Sequence, residues 1–268
     1  MPRPIVTLLT DFGSADHYAA AMKGVMMCIC PDARFLDISH EVTPFAIPEA
    51  AYTLAQAWRL FPKGTIHLVV VDPGVGSARR PILAEAGGHV FVAPDNGVLS
   101  MVLDAVPQHT IREISASEYF RQPVSQTFHG RDIFAPVAAH LAAGVPLEKF
   151  GDTIGDAVRS SFGKPVQTAE NSWTGMVLKI DWFGNIITNF HAEQFAWVAE
   201  RPFELRAGSG VVSSYSRSYA EAQTNEPFVI KGSGGYLEIS ANEADAAKIL
   251  AVASGAPLQL KNVASQGL

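Results

Sequence analysis

The chain has 268 residues, 48% of them hydrophobic and 17% charged, enough to bury a substantial core in one large domain or two. A formal net charge of -6 and a pI near 5.7 argue against a surface that tracks nucleic-acid phosphates, because such surfaces depend on clustered Lys and Arg; a small-molecule substrate fits better. The two cysteines, Cys28 and Cys30, stand one residue apart in an apolar segment. That spacing suits neither a disulfide framework nor a zinc knuckle, so both read as buried, reduced core residues.

At the N-terminus, one Arg precedes a short apolar run at 5–9 without the h-region and small-residue cleavage site of a signal peptide. No stretch approaches membrane-spanning length. With the thiols, this favours a cytoplasmic protein that makes no use of a membrane. Apolar runs rich in β-branched residues at 5–9, 65–71 and 89–92 are each bounded by Gly, Pro or Asp and read as buried strands. Between and after them, 19–28, 49–60 and 131–143 carry apolar residues at helical spacing. Strand alternating with helix implies an α/β unit: a mostly parallel sheet with helices on both faces.

Around 160–172 the composition turns to Ser, Gly, Pro, Gln, Glu and Asn, the signature of a linker. Beyond it, 173–180, 186–189, 202–205, 228–231 and 236–239 are short strand candidates separated by turns, with a helix at 244–253. The expected organisation is therefore an N-terminal α/β domain, 1–163, and a smaller β-rich C-terminal domain, 172–268, built as a small barrel or sandwich.

In a parallel α/β sheet, ligands bind outside the carboxyl ends of the strands, so the polar residues directly after each apolar run carry the information. The first run ends in Thr10-Asp11-Phe12-Gly13, with Asp16 at a helix start. A carboxylate there can accept two hydrogen bonds from a ribose diol; helix capping is the plain alternative. The second ends in Asp72-Pro73-Gly74-Val75-Gly76, then Ser77-Ala78-Arg79-Arg80, a tight loop across which Asp72 and Arg79 can meet. Pro94-Asp95-Asn96-Gly97 reads as a turn. His129, in Phe128-His129-Gly130-Arg131-Asp132, lies at a helix N-terminus, where the dipole disfavours the imidazolium and leaves a neutral hydrogen-bond relay. In the second half, Asn185 offers both donor and acceptor to an adenine edge, while Asp181 and Ser233 can hold an ammonium group. Both of those segments also read as hairpin turns.

Five blocks in one order, over nearly the whole chain, resemble the S-adenosyl-L-methionine hydroxide adenosyltransferases, relatives of the bacterial fluorinase and chlorinase. They are Leu8-Leu9-Thr10-Asp11-Phe12-Gly13, Val70-Val71-Asp72-Pro73-Gly74-Val75-Gly76, Thr127-Phe128-His129-Gly130-Arg131-Asp132, Asp181-Trp182-Phe183-Gly184-Asn185 and Ser233-Gly234-Gly235-Tyr236-Leu237-Glu238-Ile239. The resemblance implies an α/β domain joined to a smaller β-barrel-like C-terminal domain. It also implies homotrimers whose sites lie between the N-terminal domain of one subunit and the C-terminal domain of its neighbour. The implied reaction is hydrolysis of S-adenosyl-L-methionine to adenosine and L-methionine, with no cofactor and no metal. Asp72, Arg79 and His129 are the implied catalytic residues. Asp11 is expected at the ribose hydroxyls, Phe45 in the ribose pocket, and Asp16, Asp181 and Ser233 around the methionine amino and carboxylate groups. Asn185 is expected to read adenine and Tyr219 to stack on it, an interaction of about 1–3 kcal/mol. Gly234 follows Ser233 where the family often has Arg or another residue, so the cationic partner of the substrate carboxylate is not named by the motif.

In-line attack of water on the 5′ carbon expels neutral methionine, so no general acid is required; the water must be positioned and made nucleophilic. Asp72 beside Arg79 is a weak base and is given an orienting role, while His129 titrates nearer neutrality. Three rivals follow from the same residues. A halogenase uses this substrate but does not have Asp, Arg and His at these three positions. A metal-dependent hydrolase would use Asp11, Asp72, Asp95 and His129. A non-catalytic sensor would bind the substrate or adenosine without chemistry.

Overall fold

The computed structural model describes residues 3–263, which divide into two compact units meeting at Ser160 and Ser161. The first unit runs β1 (Ile5–Thr10), α1 (Tyr18–Ile29), β2 (Arg34–Ser39), α2 (Ile47–Ala57), β3 (Ile66–Val70), β4 (Pro81–Ala86), β5 (His89–Pro94), α3 (Ser100–Ala105), β6 (His109–Glu113) and α4 (Ala135–Ala142). Its six-stranded sheet has the order β2-β1-β3-β5-β4-β6. Neighbours from β2 to β5 pair in parallel, while β4 pairs antiparallel with both β5 and β6.

The runs that read as strands do so because both faces are covered. Along β3, Ile66, Leu68 and Val70 pack with Met22 and Met26 of α1 and Val137 and Ala138 of α4. Val69 and Val71 turn the other way onto Ala50 and Leu54 of α2 and Val102 and Leu103 of α3. A strand buried on both sides loses the polar half of its alternation and becomes a continuous apolar run. The helix expected at 131–143 begins instead as a π-helical turn, Gly130–Phe134, before α4. Such turns widen the backbone spiral by a residue and concentrate at functional sites. The cysteine expectation holds for Cys30, which is buried, and fails for Cys28, which is exposed: α1 is amphipathic and places Cys28 on its outer side.

The second unit contains β7 (Val166–Ala169), β8 (Ser172–Ile180), β9 (Ile186–His191), β10 (Phe203–Ala207), β11 (Gly210–Val212), β12 (Pro227–Lys231), β13 (Tyr236–Ala241), α5 (Ala246–Leu250) and β14 (Pro257–Asn262). Its strands form one antiparallel sheet in the order β11-β10-β14-β8-β9-β13-β12, with β7 added at β8. The sheet curls into a nearly closed barrel around Val177, Phe190, Leu205, Val229, Ile239 and Leu260. Part of the segment read as linker is thus a strand, since β7 forms a hairpin with β8. Among the described residues no helix is long and apolar enough to cross a membrane.

Candidate active site

Strands β1 and β3 end side by side at the same edge of the sheet, with Thr10 opposite Val70. The residues that follow them, Asp11 and Asp72, face a cleft of about 280 Å³ that is also lined by Phe12, Tyr18, Phe45, Thr127, Phe128 and His129. Four residues singled out from sequence, Asp11, Phe45, Asp72 and His129, therefore meet in one place.

Behind the cleft, Arg79 ties two of them together. Its Nε donates to Asp72 Oδ1 at 3.0 Å, its Nη2 donates to Asp72 Oδ2, and Nη2 lies 3.2 Å from His129 Nδ1. Both charged side chains are almost fully buried, Arg79 at 7% and Asp72 at 5% exposure. A pair so deeply desolvated is held by bidentate geometry. The guanidinium carbon also sits 5.2 Å from the centre of the Phe134 ring. Arg79 Nη1 is buried and has no hydrogen-bond partner among the described residues, a cost that a polar ligand would remove.

Because Arg79 carries only donors, His129 Nδ1 must be the acceptor, and the proton of the neutral ring is then on Nε2. The His129 pKa is lowered, first by burial and then by the Arg79 charge, with Asp72 and Asp132 pulling it back up. The direction agrees with the sequence reading, but burial and Arg79 are the causes here rather than a helix dipole. Asp11 goes the other way: burial raises its pKa, the backbone N–H of Phe45 opposes this, and the charge of Asp72 adds to it. Phe45 N donates to Asp11 Oδ2 at 2.9 Å, and Phe45 itself is 71% exposed with φ at +69°.

One glycine-dependent approach sets the loops against each other. Gly76 has φ +77°, and a Cβ there would come 2.4 Å from the Gln126 carbonyl oxygen. The 72–79 loop is thus seated on the segment that leads to His129. That segment is anchored by Asp132, which sequence reading quoted in a motif but gave no role. Fully buried, Asp132 accepts from Arg131 Nε and Nη2 at 2.7 and 2.8 Å, Arg121 Nη1 at 3.1 Å and Ser125 N at 2.9 Å. Burial opposes its ionisation, yet these bonds outweigh burial and its pKa is lowered. An acidic residue at the mouth of an apolar helix, flanked by Arg, was the available signal.

Other expected residues stand apart from the cleft. Asp16 is exposed in the bend before α1 and does not line it. Asp95 is also elsewhere: it accepts from Arg80 Nε and Nη2 at 3.1 and 2.8 Å and from Val158 N at 2.7 Å, fastening 156–160 to the sheet. The four-residue metal set of Asp11, Asp72, Asp95 and His129 is therefore not assembled, and among the described residues no three His, Cys, Asp or Glu group as metal ligands.

In the second unit, Asp181 organises its own hairpin turn. Its Oδ1 accepts from Phe183 N and Asn185 N, both at 2.9 Å, and its Oδ2 accepts from Asn185 Nδ2 at 2.8 Å. Trp182 and Phe183 are thereby pushed outward, 96% and 75% exposed. Ser233 is exposed in the turn between β12 and β13, and Tyr219 meets the Phe228 ring edge-on at 6.0 Å. Beneath the same turn lies Glu238, whose Oε1 fills the space a Gly232 side chain would need. Burial, then the Asp181 charge, pushes its pKa up to about 6. Sequence reading missed it because Leu237-Glu238-Ile239 looks like simple in-out alternation.

Comparison with known proteins finds matches along nearly the whole chain. Residues 6–151 match the SAM hydroxide adenosyltransferase N-terminal domain and residues 175–259 match the corresponding C-terminal domain. The (R)-S-adenosyl-L-methionine hydrolase of Salinispora arenicola is 36% identical over 262 residues, covering 96% of this chain and 97% of its own. That of Salinispora tropica is 35% identical over 264 residues, covering 97% and 98%. A crystal structure of an uncharacterized conserved protein from Thermotoga maritima superposes with a TM-score of 0.85 at 38% identity, over 96% of this chain and 100% of that one. With both halves matched, and with relatives this similar over their full length, the chain belongs to the SAM hydroxide adenosyltransferase family.

Proposed function

We propose that this enzyme hydrolyses S-adenosyl-L-methionine to adenosine and L-methionine by attack of water on the 5′ carbon, with Asp72, Arg79 and His129 organising the water. The observation that carries the reading is the buried Asp72–Arg79–His129 assembly at a cleft whose other polar wall is Asp11.

The oxygen of water forms a bond to C5′ as the C5′–sulfur bond breaks, its electron pair passing to sulfur to give neutral methionine. One proton is released. His129, with Nδ1 occupied by Arg79, offers Nε2–H and so donates to the water oxygen. It has no free acceptor for the water's proton, which leaves Asp72 as the acceptor on the cleft wall. This reverses the emphasis drawn from sequence, where Asp72 was only an orienting group. Arg79 keeps both partners in place and its charge favours hydroxide character. A halide nucleophile would face the Asp72 carboxylate directly, a like-charge contact that disfavours the halogenase alternative.

Asp11, held by Phe45 N, takes the ribose hydroxyls, and Phe45 covers the ribose. Asp16, Asp181 and Ser233 receive the methionine end, Asn185 reads adenine and Tyr219 stacks on it. Asp181, Asn185, Tyr219 and Ser233 lie on the β-barrel unit, and we assign the active form as a homotrimer in which a neighbouring subunit supplies them. The relatives' name specifies the R configuration at sulfur, and the same epimer is assigned here. Two unpaired cysteines, one of them exposed, suit a reducing cytoplasm.

The test is incubation of chelator-treated enzyme with S-adenosyl-L-methionine in heavy-oxygen water, followed by mass spectrometry. Adenosine labelled at the 5′ oxygen, with unlabelled methionine, is expected. Intact substrate under conditions where it binds would overturn hydrolysis in favour of a sensor.

A further inference from the structure

Thr10, the last residue of β1, is fully buried immediately before Asp11. Its hydroxyl oxygen accepts from Phe12 N at 3.3 Å and lies 2.8 Å from His40 Nδ1. The hydroxyl has two lone pairs and one hydrogen, so it accepts from Phe12 N–H and still bonds His40 Nδ1, as donor or acceptor according to which ring nitrogen carries the proton. His40 Nε2 lies 3.0 Å from Asp37 Oδ1, an ion-pair distance without hydrogen-bond geometry, and Asp37 Oδ2 accepts from Lys23 Nζ of α1 at 2.6 Å. His40 is only 10% exposed, whereas Asp37 is 40% exposed. The chain of contacts thus runs inward from a surface ion pair to a buried hydroxyl.

The same two segments are cross-braced through their backbones. Gly13 N donates to His40 O at 2.7 Å and Val42 N to Thr10 O at 3.4 Å. At the far end Phe45 N donates to Asp11 Oδ2 at 2.9 Å. Phe45 is held at φ +69°, a left-handed conformation that is costly for a bulky residue and persists only where neighbours over-determine it. One Asp11 oxygen is therefore fixed, and the turn that carries it is fastened on the side away from the cleft.

We infer that His40 is a positioning residue, the centre of an Asp37–His40–Thr10 relay that aims the Asp11 carboxylate at the ribose diol of the substrate. The inference rests on the reading of Asp11 as the ribose site. It gives the Asp37-Ile38-Ser39-His40 segment a task in substrate recognition although neither ionisable side chain lines the cleft.

The experiment compares kcat/KM for S-adenosyl-L-methionine and for its 2′-deoxy and 3′-deoxy analogues in the parent, Asp11→Asn, His40→Ala, Thr10→Val and Thr10→Ser. In the parent, loss of a hydroxyl that meets a carboxylate costs roughly tenfold or more. His40→Ala and Thr10→Val are expected to cut that penalty to about threefold or less, while Thr10→Ser, which keeps the hydroxyl, retains it. A purely structural role would lower the melting temperature and leave the ratio unmoved. Thr10→Val is nearly isosteric and keeps the test open should His40→Ala fail to fold. An unchanged penalty in His40→Ala and Thr10→Val, with the penalty lost in Asp11→Asn, overturns the relay alone. An unchanged penalty in Asp11→Asn as well overturns the ribose assignment and the relay with it.

Discussion

Replacing Arg79 by Lys keeps the charge and removes the fork, and the geometry says what that should do. Arg79 bonds both oxygens of Asp72 and reaches His129 Nδ1 from a single planar group. A Lys ammonium is a point donor on a flexible stem and cannot hold all three contacts in this arrangement. One charge-assisted bond to Asp72, about 1.5–3 kcal/mol, and the tether to His129, about 1 kcal/mol, are lost. Roughly 2.5–4 kcal/mol of organisation corresponds to a fall in kcat of about 10²–10³. Asp11 and Phe45 are fixed by their own bond, so KM should stay within about threefold. Initial rates of adenosine release over a range of substrate concentrations separate the two parameters, with Arg79→Met as the chargeless companion. A kcat for Arg79→Lys within about fivefold of the parent, or a loss confined to KM, would refute the assignment.

Three further outcomes follow from particular contacts. In Asp132→Asn, the carboxylate that raises the His129 pKa is gone while burial and Arg79 still lower it and Asp72 still raises it; the acid limb of kcat/KM should move to lower pH, and an unmoved or upward-shifted limb would exclude His129 as its source. Gly76→Ala adds a Cβ 2.4 Å from the Gln126 carbonyl at φ +77°, so it should destabilise by more than about 1–2 kcal/mol and lower kcat, whereas a parent-like urea midpoint and rate would show that the loops are not seated as described. On β3, His67 is buried between Thr7 and His89, at 2.7 and 3.1 Å, and burial, with the His89 charge, pushes its pKa down to about 3. Its contribution to stability is complete above the unfolded value, about 6.5, and is lost as pH falls from there toward the folded value, because only the unfolded chain takes up the proton. Between about pH 8 and pH 5 that amounts to about 2 kcal/mol at 1.36 kcal/mol per unit. Urea denaturation of His67→Gln should show a pH loss smaller by that amount, and equal losses in both chains would remove His67 as the cause.

How far the sequence could be read depended on whether a residue's partners were local. β1, β3 and β5 were legible because burial on both faces leaves uninterrupted apolar runs. β2 was not, since as an edge strand its Arg34, Leu36 and Asp37 are exposed and no alternation survives. β4 was hidden behind Arg79-Arg80-Pro81, which reads as the tail of a turn. The cleft itself was legible for the same reason as the strands: a polar residue at the end of a buried run marks the carboxyl edge of the sheet, which is how Asp11 and Asp72 were found. The assignment of Asp16 drew on the family motif, and the cleft lining offers it no support.

What escaped the sequence is the scaffolding that makes the cleft rigid. His40 bonds a residue thirty positions earlier, and Asp132 gathers donors from Arg121, Ser125 and Arg131; neither pattern has a period or a fixed spacing. Yet these two residues solve the same physical problem from opposite walls. Asp11 sits in the bend after β1 and His129 at the helix start that follows the 121–128 loop, and catalysis by positioning tolerates little displacement of the groups that meet the reacting atoms. Each segment is therefore pinned on its side away from the cleft by an ionisable side chain: His40 through Nδ1 to Thr10 on one wall, Asp132 through Ser125 and its two arginines on the other. A buried carboxylate is costly unless satisfied, and with four N–H donors, as at Asp132, it admits few alternative arrangements. That selectivity is what an apolar contact at the same position would not provide, and it accounts for titratable groups lying so close behind a cleft that does not expose them.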